Sequence, residues 1–352
     1  MRVNDLAFRR FRIERKAGSG GMGTVYRATD TRTNEPVALK VIRADDDVDH
    51  ERFLREAAAL ARVVHPAVVR YVDHGTGEDG HYLAMEWLEG EDLGARLARE
   101  GLTVGDSVAV AAAVASALGA AHAHGIVHRD VKPRNIFLVG GAIERVKVLD
   151  FGIALLREGA ELTVTGAMLG TPGYMAPEQA EGARDLDARA DVFSLGCVLF
   201  RCLAGEAPFA GESLLAVLAK TVLEESPRVS DFRLDVPPDL DDLVARLLAK
   251  DKAHRPADGH AVATELAGLG GVRVSAPAPV AAPSGSLTEG ERRVLSVVIA
   301  GGAGRGVKPT TARERDAAPG SAFAASRAKE AGIRLAAARF GGHVESLAEG
   351  SH

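Results

Sequence analysis

The order of apolar and polar residues predicts that the first part of the chain consists mainly of strands. Residues 11–25 alternate charged and apolar side chains around a glycine-rich stretch, which predicts a strand, a turn and a second strand. Val-Ala-Leu-Lys-Val-Ile at 37–42 is rich in β-branched and apolar residues and predicts another strand. Residues 50–63 carry apolar side chains at helical spacing. Residues 68–73 and 81–87 then predict a strand pair joined by a glycine-rich turn.

Helices dominate the pattern that follows. They are predicted to begin at Leu93 and to recur at 107–126, 191–200, 243–248 and 261–269. Residues 107–126 carry no formal charge and are long enough to cross a bilayer. Because this segment is rich in Ala rather than Leu and contains Ser, Gly and His, we interpret it as a buried core helix. Asp191 stands at the start of its segment, where an isolated Asp would normally cap the helix.

The last part of the chain has a different character. Residues 270–286 are predicted to be a linker, because Pro, Ala and Ser dominate the stretch from 274 onward. Structure is predicted to resume afterwards, with a strand at 292–300, a helix at 325–340 and a second strand and turn at 341–350. So few elements make a poor hydrophobic core.

Composition narrows the class of protein. The 352 residues are 46% hydrophobic and 26% charged, which is typical of a soluble globular protein of one or two domains. A net charge of −5 gives no electrostatic case for binding nucleic acid or an anionic membrane. Residues 1–15 are charged rather than apolar, so no signal peptide is expected. Cys197 and Cys202 are the only cysteines, which favours a reducing, cytoplasmic location.

Candidate chemistry is concentrated in His-Arg-Asp-Val-Lys-Pro-Arg-Asn at 128–135. Asp130 can accept a proton from an attacking hydroxyl, and Lys132 can neutralise charge on a transferring phosphate. Asn135 offers an amide oxygen to a divalent metal ion. Asp150, in the Asp-Phe-Gly that follows, offers a carboxylate to the same ion. The alternative interpretation is a polar surface turn followed by an unrelated Asp-Phe-Gly.

The glycine-rich stretch at 18–23 is a candidate phosphate cradle, because glycines let backbone N–H groups approach phosphate oxygens closely. Dinucleotide-binding folds use the same spacing but continue into a helix. Here Thr24-Val25-Tyr26 continues as a strand, which disfavours that alternative.

Lys40 lies in an otherwise apolar strand, where an unpaired ammonium is costly. A lysine that reaches solvent from an edge strand is the simplest alternative. Glu56, in the helix predicted at 50–63, is the preferred partner for an ion pair that also holds phosphates, and Glu51 is the second candidate.

Residues 153–171 are rich in Gly, Ala and Thr and are predicted to be a mobile loop. Thr163 and Thr165 are its candidate phosphate acceptors, and Arg129 is the natural cationic partner for such a phosphate. Thr171 is interpreted as a structural hydroxyl close to the 128–135 segment.

Together these motifs resemble the eukaryotic-like Ser/Thr protein kinases found in bacteria, over residues 8–269. The resemblance implies an α+β, two-lobe fold, with a β-rich N-lobe at about 8–86 and a helical C-lobe at about 91–269. It implies transfer of a phosphoryl group from ATP, with Mg²⁺ or Mn²⁺, to Ser or Thr hydroxyls of protein substrates. Lys132, two residues after Asp130, resembles the serine/threonine type of protein kinase rather than the tyrosine type. Activation in trans within a kinase–kinase dimer is a further expectation.

The resemblance also implies roles for single residues. The expected nucleotide-contacting residues are Ala17, Gly18, Ser19, Gly20, Gly21, Met22, Gly23, Val25, Ala38, Lys40, Glu56, Met85, Glu86 and Leu88. Ala17 departs from the family, which usually carries a larger aliphatic residue there. Glu178 is expected to pair with Arg255 as a buried structural ion pair. Asp191 is expected to brace the backbone of the catalytic loop, which is the segment at 128–135.

Residues 287–352 faintly resemble the opening of a class III nucleotide cyclase, with Gly-Glu-Arg-Arg before a strand and Phe-Gly-Gly-His after a helix. Such cyclases carry a metal-binding Asp after the first strand, where this chain has Gly301-Gly302. We therefore expect a partial or degenerate module without catalysis, or a disordered segment. The alternatives to a kinase are a nucleotide-binding scaffold, or the regulatory kinase part of a cyclase-type signalling protein.

Overall fold

The computed structural model describes residues 2–20, 23–42, 50–77, 80–151, 172–183, 185–211 and 213–269. Its strands are β1 Leu6–Ala7, β2 Phe11–Gly20, β3 Gly23–Asp30, β4 Pro36–Ile42, β5 Tyr71–Gly77, β6 Gly80–Glu86, β7 Gly90–Asp92, β8 Ile136–Val139 and β9 Val146–Val148. Its α-helices are α1 His50–Leu60, α2 Leu93–Arg99, α3 Val104–His122, α4 Pro177–Ala180, α5 Ala188–Ala204, α6 Leu214–Leu223, α7 Pro238–Leu247 and α8 Gly259–Gly268.

The N-lobe is a six-stranded antiparallel sheet with strand order β1-β2-β3-β4-β6-β5. One face of the sheet buries Phe11, Ile13 and Leu39. Helix α1 packs on the sheet through Phe53 and Ala57. The strands predicted at 11–25 and 37–42 and the helix predicted from residue 50 are confirmed, although the helix ends at Leu60 rather than at residue 63.

The prediction for the next strand was wrong at both ends. Strand β5 begins at Tyr71 and continues through Gly75 and Gly77, which the sequence pattern assigned to a turn. A Cβ atom on residue 75 would lie 2.8 Å from the Tyr82 ring, and one on residue 77 would lie 2.8 Å from the Phe8 ring. These glycines therefore make room for aromatic rings packed on the sheet.

The C-lobe is built around α5, in which Phe193, Leu195 and Leu199 are fully buried. Among the described helices, α3 alone is long and apolar enough to cross a membrane by length and composition. Its Val114 and Leu118 are fully buried, and the helix packs against α5 and α8. The apolar character of α3 is thus explained by its place in the core, as the sequence predicted.

A second sheet, with strand order β7-β8-β9, was not predicted from the sequence. Its strands are only three or four residues long, which is too short for a period-two pattern to be recognised. Strand β8 begins directly after Asn135, and Asp150 follows shortly after β9. This small sheet therefore brings the two candidate metal ligands to the same edge.

Further predicted helix boundaries are corrected. Helix α3 extends from Val104 to His122 rather than from 107 to 126. Helix α5 begins at Ala188, and its cap is Asp187, whose carboxylate accepts from the Arg189 amide at 2.9 Å. Asp191 therefore lies inside the first turn rather than at the cap, which leaves its carboxylate available for another purpose. Helix α7 begins at Pro238, before the predicted start at residue 243.

Candidate active site

The backbone of the catalytic loop is held by Asp191. Its Oδ2 accepts from the His128 amide at 2.7 Å, and its Oδ1 accepts from the Arg129 amide at 2.8 Å. Asp191 is fully buried, so both hydrogen bonds are protected from water. They hold Arg129 in a left-handed conformation, with φ of 64°, which a non-glycine residue rarely adopts.

His122 supplies the third contact to this carboxylate. Its Nδ1 accepts from the Gly259 amide at 3.1 Å, so the proton of the neutral ring is on Nε2. That Nε2 lies 2.9 Å from Asp191 Oδ2 and donates to it. Gly259, the first residue of α8, thereby fixes the tautomer of His122, and His122 in turn orients the Asp191 carboxylate that holds the catalytic loop.

His128 joins the catalytic loop to the segment that ends in Asp150. Its Nδ1 accepts from the Asp130 amide at 3.2 Å, so its Nε2 carries the proton and donates to the Leu149 carbonyl at 2.8 Å. The His128 ring also packs against Phe151, with 4.6 Å between ring centroids. The backbones that carry Asp130 and Asp150 are therefore connected through one imidazole.

The carboxylate of Asp130 is oriented by two neighbours. Lys132 Nζ donates to Oδ1 at 2.9 Å and to Oδ2 at 2.7 Å. Asn135 Nδ2 donates to Oδ2 at 3.0 Å and to the Asp130 carbonyl at 2.8 Å. These contacts fix the direction of the carboxylate and place a cation beside it.

The oxygen ligands around Asn135 and Asp150 suit a divalent cation. Because the Asn135 nitrogen is bound to Asp130, its amide oxygen is the atom that remains to face a metal ion. The Asp150 carboxylate is the second hard oxygen donor, as Mg²⁺ prefers. Among the described residues, no group of three or more His, Cys, Asp or Glu side chains could hold a metal ion.

Lys40 is 4% exposed, and its Nζ lies 3.0 Å from Asp150 Oδ1. This contact was not predicted from the sequence. The predicted partner, Glu56, lies on α1, but its side chain is outside the described part of the chain. The Lys40–Glu56 pair therefore stays a prediction.

The glycine-rich stretch is the connection between β2 and β3. Gly18 is paired with Val25, and Gly20 with Gly23, while Gly21 and Met22 lie outside the described residues. A Cβ on Gly18 would meet no atom within 4 Å, whereas one on Gly23 would lie 2.2 Å from the Val41 carbonyl oxygen. Gly18 thus leaves open space beside the strand, and Gly23 allows close packing on β4.

The other predicted nucleotide-contacting residues lie on adjacent strands. Ala17 and Ser19 are exposed on β2, Val25 is half-buried on β3, and Ala38 on β4 is paired with Met85 on β6. Leu88 follows the end of β6 and is also half-buried.

Glu86, at the end of β6, uses its side chain for structure. It contacts Lys147 Nζ at 2.8 Å and accepts from the Arg70 amide at 2.7 Å. Any contact to a nucleotide would therefore come from its backbone.

The segment after the candidate phosphorylation loop is anchored to the C-lobe. Arg255 donates to both Glu178 oxygens, at 2.7 and 3.0 Å, which is the ion pair expected from the sequence. Gln179, which the sequence did not single out, donates to the Arg129 carbonyl at 3.0 Å. Thr163, Thr165 and Thr171 lie outside the described residues.

Comparison with known families identifies this arrangement. The family model described as the protein kinase domain matches residues 11–266, which contain every hydrogen bond and ion pair described for the candidate active site. The chain belongs to the protein kinase family. The kinase fold expected from the sequence is confirmed.

Curated relatives of this chain are named serine/threonine-protein kinases. The chain is 40% identical over 270 residues to the serine/threonine-protein kinase pkn3 of Myxococcus xanthus, covering 73% of this chain and 49% of the relative. It is 41% identical over 256 residues to PknB of Mycolicibacterium smegmatis, covering 70% and 40%. The chain thus spans less than half the length of these relatives.

A solved structure agrees with the fold. The kinase domain of PknI from Mycobacterium tuberculosis superimposes with a TM-score of 0.61 at 30% identity. The match covers 77% of this chain and 99% of that domain.

Proposed function

We propose that this kinase transfers the γ-phosphoryl group of ATP to Ser or Thr hydroxyls of protein substrates. The observation that carries the proposal is the Asp130 carboxylate, oriented by both Lys132 and Asn135. The proton acceptor thus lies within hydrogen-bonding distance of both the cation and the amide, and Lys40 lies beside Asp150. Phosphoryl transfer depends mostly on such positioning and electrostatics.

Each side chain has a distinct task. Asp130 orients the acceptor hydroxyl and takes its proton, while Lys132 stabilises charge on the group being transferred. Asn135 and Asp150 would hold Mg²⁺, which neutralises phosphate charge when bound. Lys40 would bind phosphate oxygens from the N-lobe side, and the backbone of Gly18, Gly20 and Gly23 would cover them.

Regulation is proposed to act through the loop that contains Thr163 and Thr165. Phosphate on either residue would be attracted by the Arg129 side chain. Transfer between two copies of the chain is the route we propose for the first phosphorylation.

We also propose a cytoplasmic location for this kinase. Cys197 and Cys202 are both buried as free thiols in α5, which supports the cytoplasmic location predicted from the sequence. The family match ends at residue 266, and the comparisons give no support to the cyclase-like interpretation of residues 287–352.

The proposed activity is tested by incubating the purified chain with labelled ATP and Mg²⁺, beside an Asp130→Asn variant. We expect label on a generic acceptor protein or on the chain itself, and mass spectrometry should map the label on the chain to Thr163 or Thr165. The Asp130→Asn variant should transfer no label. ATP binding should be retained by the variant, because Asp130 acts on the acceptor. Absence of transfer by the wild-type chain to any acceptor would favour a nucleotide-binding scaffold instead.

A further inference from the structure

Gln179 bridges two parts of the active site. Its Nε2 donates to the Arg129 carbonyl at 3.0 Å, and its Oε1 accepts from the Ala176 amide at 3.1 Å. A carbonyl can only accept and an amide N–H can only donate, so both ends of the side chain are assigned by their partners. The side chain is half-buried, which partly shields both hydrogen bonds from water.

The Arg129 carbonyl belongs to the one stretch of catalytic loop in a left-handed conformation. Such a conformation persists only where the surroundings hold it. Asp191 holds the amide of Arg129 on one side, and Gln179 holds its carbonyl on the other. This carbonyl is part of the peptide group whose nitrogen belongs to Asp130, so its orientation fixes the start of the Asp130 residue.

Gln179 is itself fixed to the C-lobe. The preceding Glu178 is bound by both terminal nitrogens of Arg255. Upstream, the Tyr174 carbonyl accepts from Ser194 Oγ of α5 at 2.7 Å. The segment that carries Gln179 is therefore tied to the core on both sides and provides a rigid point of attachment.

We propose that Gln179 is a positioning residue, which sets the orientation of Asp130 toward the acceptor hydroxyl by holding the Arg129 carbonyl. The inference rests on the proposed kinase function. Within the described part of the chain, the side-chain hydrogen bonds of Gln179 go to Ala176 and Arg129 and not to the Asp130 carboxylate or a predicted nucleotide-contacting residue. Its effect therefore falls on the transfer step rather than on ATP binding.

Gln179→Glu separates the two contacts. A carboxylate of the same shape still accepts from the Ala176 amide, but it has no N–H for the Arg129 carbonyl. Losing one such hydrogen bond should lower kcat about tenfold. The KM for ATP should stay within about twofold of wild type.

Gln179→Ala should lower kcat similarly and also lower the thermal midpoint of unfolding, because the Ala176 amide loses its hydrogen-bond partner. Glu225→Gln, an exposed acid-to-amide exchange, serves as the control.

Hydrogen exchange provides a readout that does not need activity. The Asp130 amide, which donates to His128 Nδ1, should exchange faster in Gln179→Glu, while amides within α5 keep their wild-type rates. A wild-type kcat together with unchanged exchange at Asp130 would overturn the proposal. So would a KM for ATP that rises as kcat falls, which indicates general loosening. If wild type transfers no phosphate, the proposed function fails, and exchange at Asp130 still decides whether Gln179 holds the loop.

Discussion

At the scale of single residues, Tyr71 carries a cost that the fold tolerates. Its ring packs against the cluster formed by Phe53 and Leu83, but its hydroxyl is buried without a hydrogen-bond partner in the described part of the chain. Burial raises the pKa of Tyr71, so the hydroxyl remains a protonated donor. An unpaired buried polar group of this kind costs about 1–3 kcal/mol.

Tyr71→Phe should therefore raise the free energy of unfolding by about 1 kcal/mol, measured by urea denaturation. The matched control is Tyr82→Phe, because the Tyr82 hydroxyl donates to Asp73 at 3.3 Å. The control should give no gain in stability. Equal losses in both variants would contradict this interpretation of Tyr71.

The sequence predicted which site residues come together when they lie close along the chain, but its local patterns did not predict contacts between residues far apart in sequence. Asp130, Lys132 and Asn135 lie within six residues of chain, so their grouping follows from the motif. The contacts of Gln179 with Arg129, and of His122 with Gly259, join segments far apart in sequence. No periodicity or local pattern reports such contacts.

At the scale of elements, α3 and α8 approach each other through glycines. A Cβ on Gly259 would lie 2.4 Å from both the Ala115 carbonyl oxygen and the Gly119 amide nitrogen. A Cβ on Gly119 would in turn lie 2.7 Å from the His260 amide nitrogen. The two helix backbones are thus in direct contact, and a side chain at residue 259 would have to displace backbone atoms.

Gly259→Ala should lower the free energy of unfolding by about 2 kcal/mol or more, since overpacking against backbone cannot relax through a rotamer change. Gly268→Ala, at the other end of α8, meets no atom within 4 Å and should stay within about 1 kcal/mol of wild type. Urea denaturation of both variants checks the difference. Similar stability of the two would contradict the close approach.

The elements themselves were predictable where the pattern was long. The core helix α3 was predicted because a long apolar stretch carries no charge, and β2 and β3 because charged and apolar side chains alternate in them. Strand β4 was predicted from its β-branched and apolar content. The short strands β7 to β9 and the four-residue helix α4 have too few positions for a period. Gly75 and Gly77 were misassigned because glycine in a strand, placed to receive a ring, has the same local signal as glycine in a turn.

At the scale of the whole molecule, one lysine makes stability depend on pH. Lys250 Nζ donates to the Thr221 carbonyl at 2.7 Å and lies 3.8 Å from the centre of the Phe209 ring. Burial is the main reason that the pKa of Lys250 is lowered from 10.5 to about 8. The unfolded chain, where this pKa is ordinary, therefore binds more protons between these two values.

Wild type should consequently gain stability relative to Lys250→Met as the pH rises from about 8 toward 10. Below this window both states are protonated and the difference between the two proteins is constant. Urea denaturation of both at pH 7 and pH 9.5 measures the change, and the other titrating groups cancel in the comparison. A difference that stays constant or falls with pH would show that Lys250 is not titrating in the folded protein.

The hydrogen bond from the Gly259 amide to His122 also limits how far the chain can be shortened from its C-terminal side without affecting the catalytic loop. Asp150 is the last of the residues proposed to act on ATP and its phosphates, yet the Asp191 carboxylate that holds the catalytic loop depends, through His122, on the backbone amide of Gly259. A shortened protein that stops before α8 would keep every reactive group and lose the atom that sets the tautomer beneath them. Because His122 needs the Gly259 amide as a hydrogen-bond donor, a shortened form of this kinase should retain the chain through the end of α8 at Gly268.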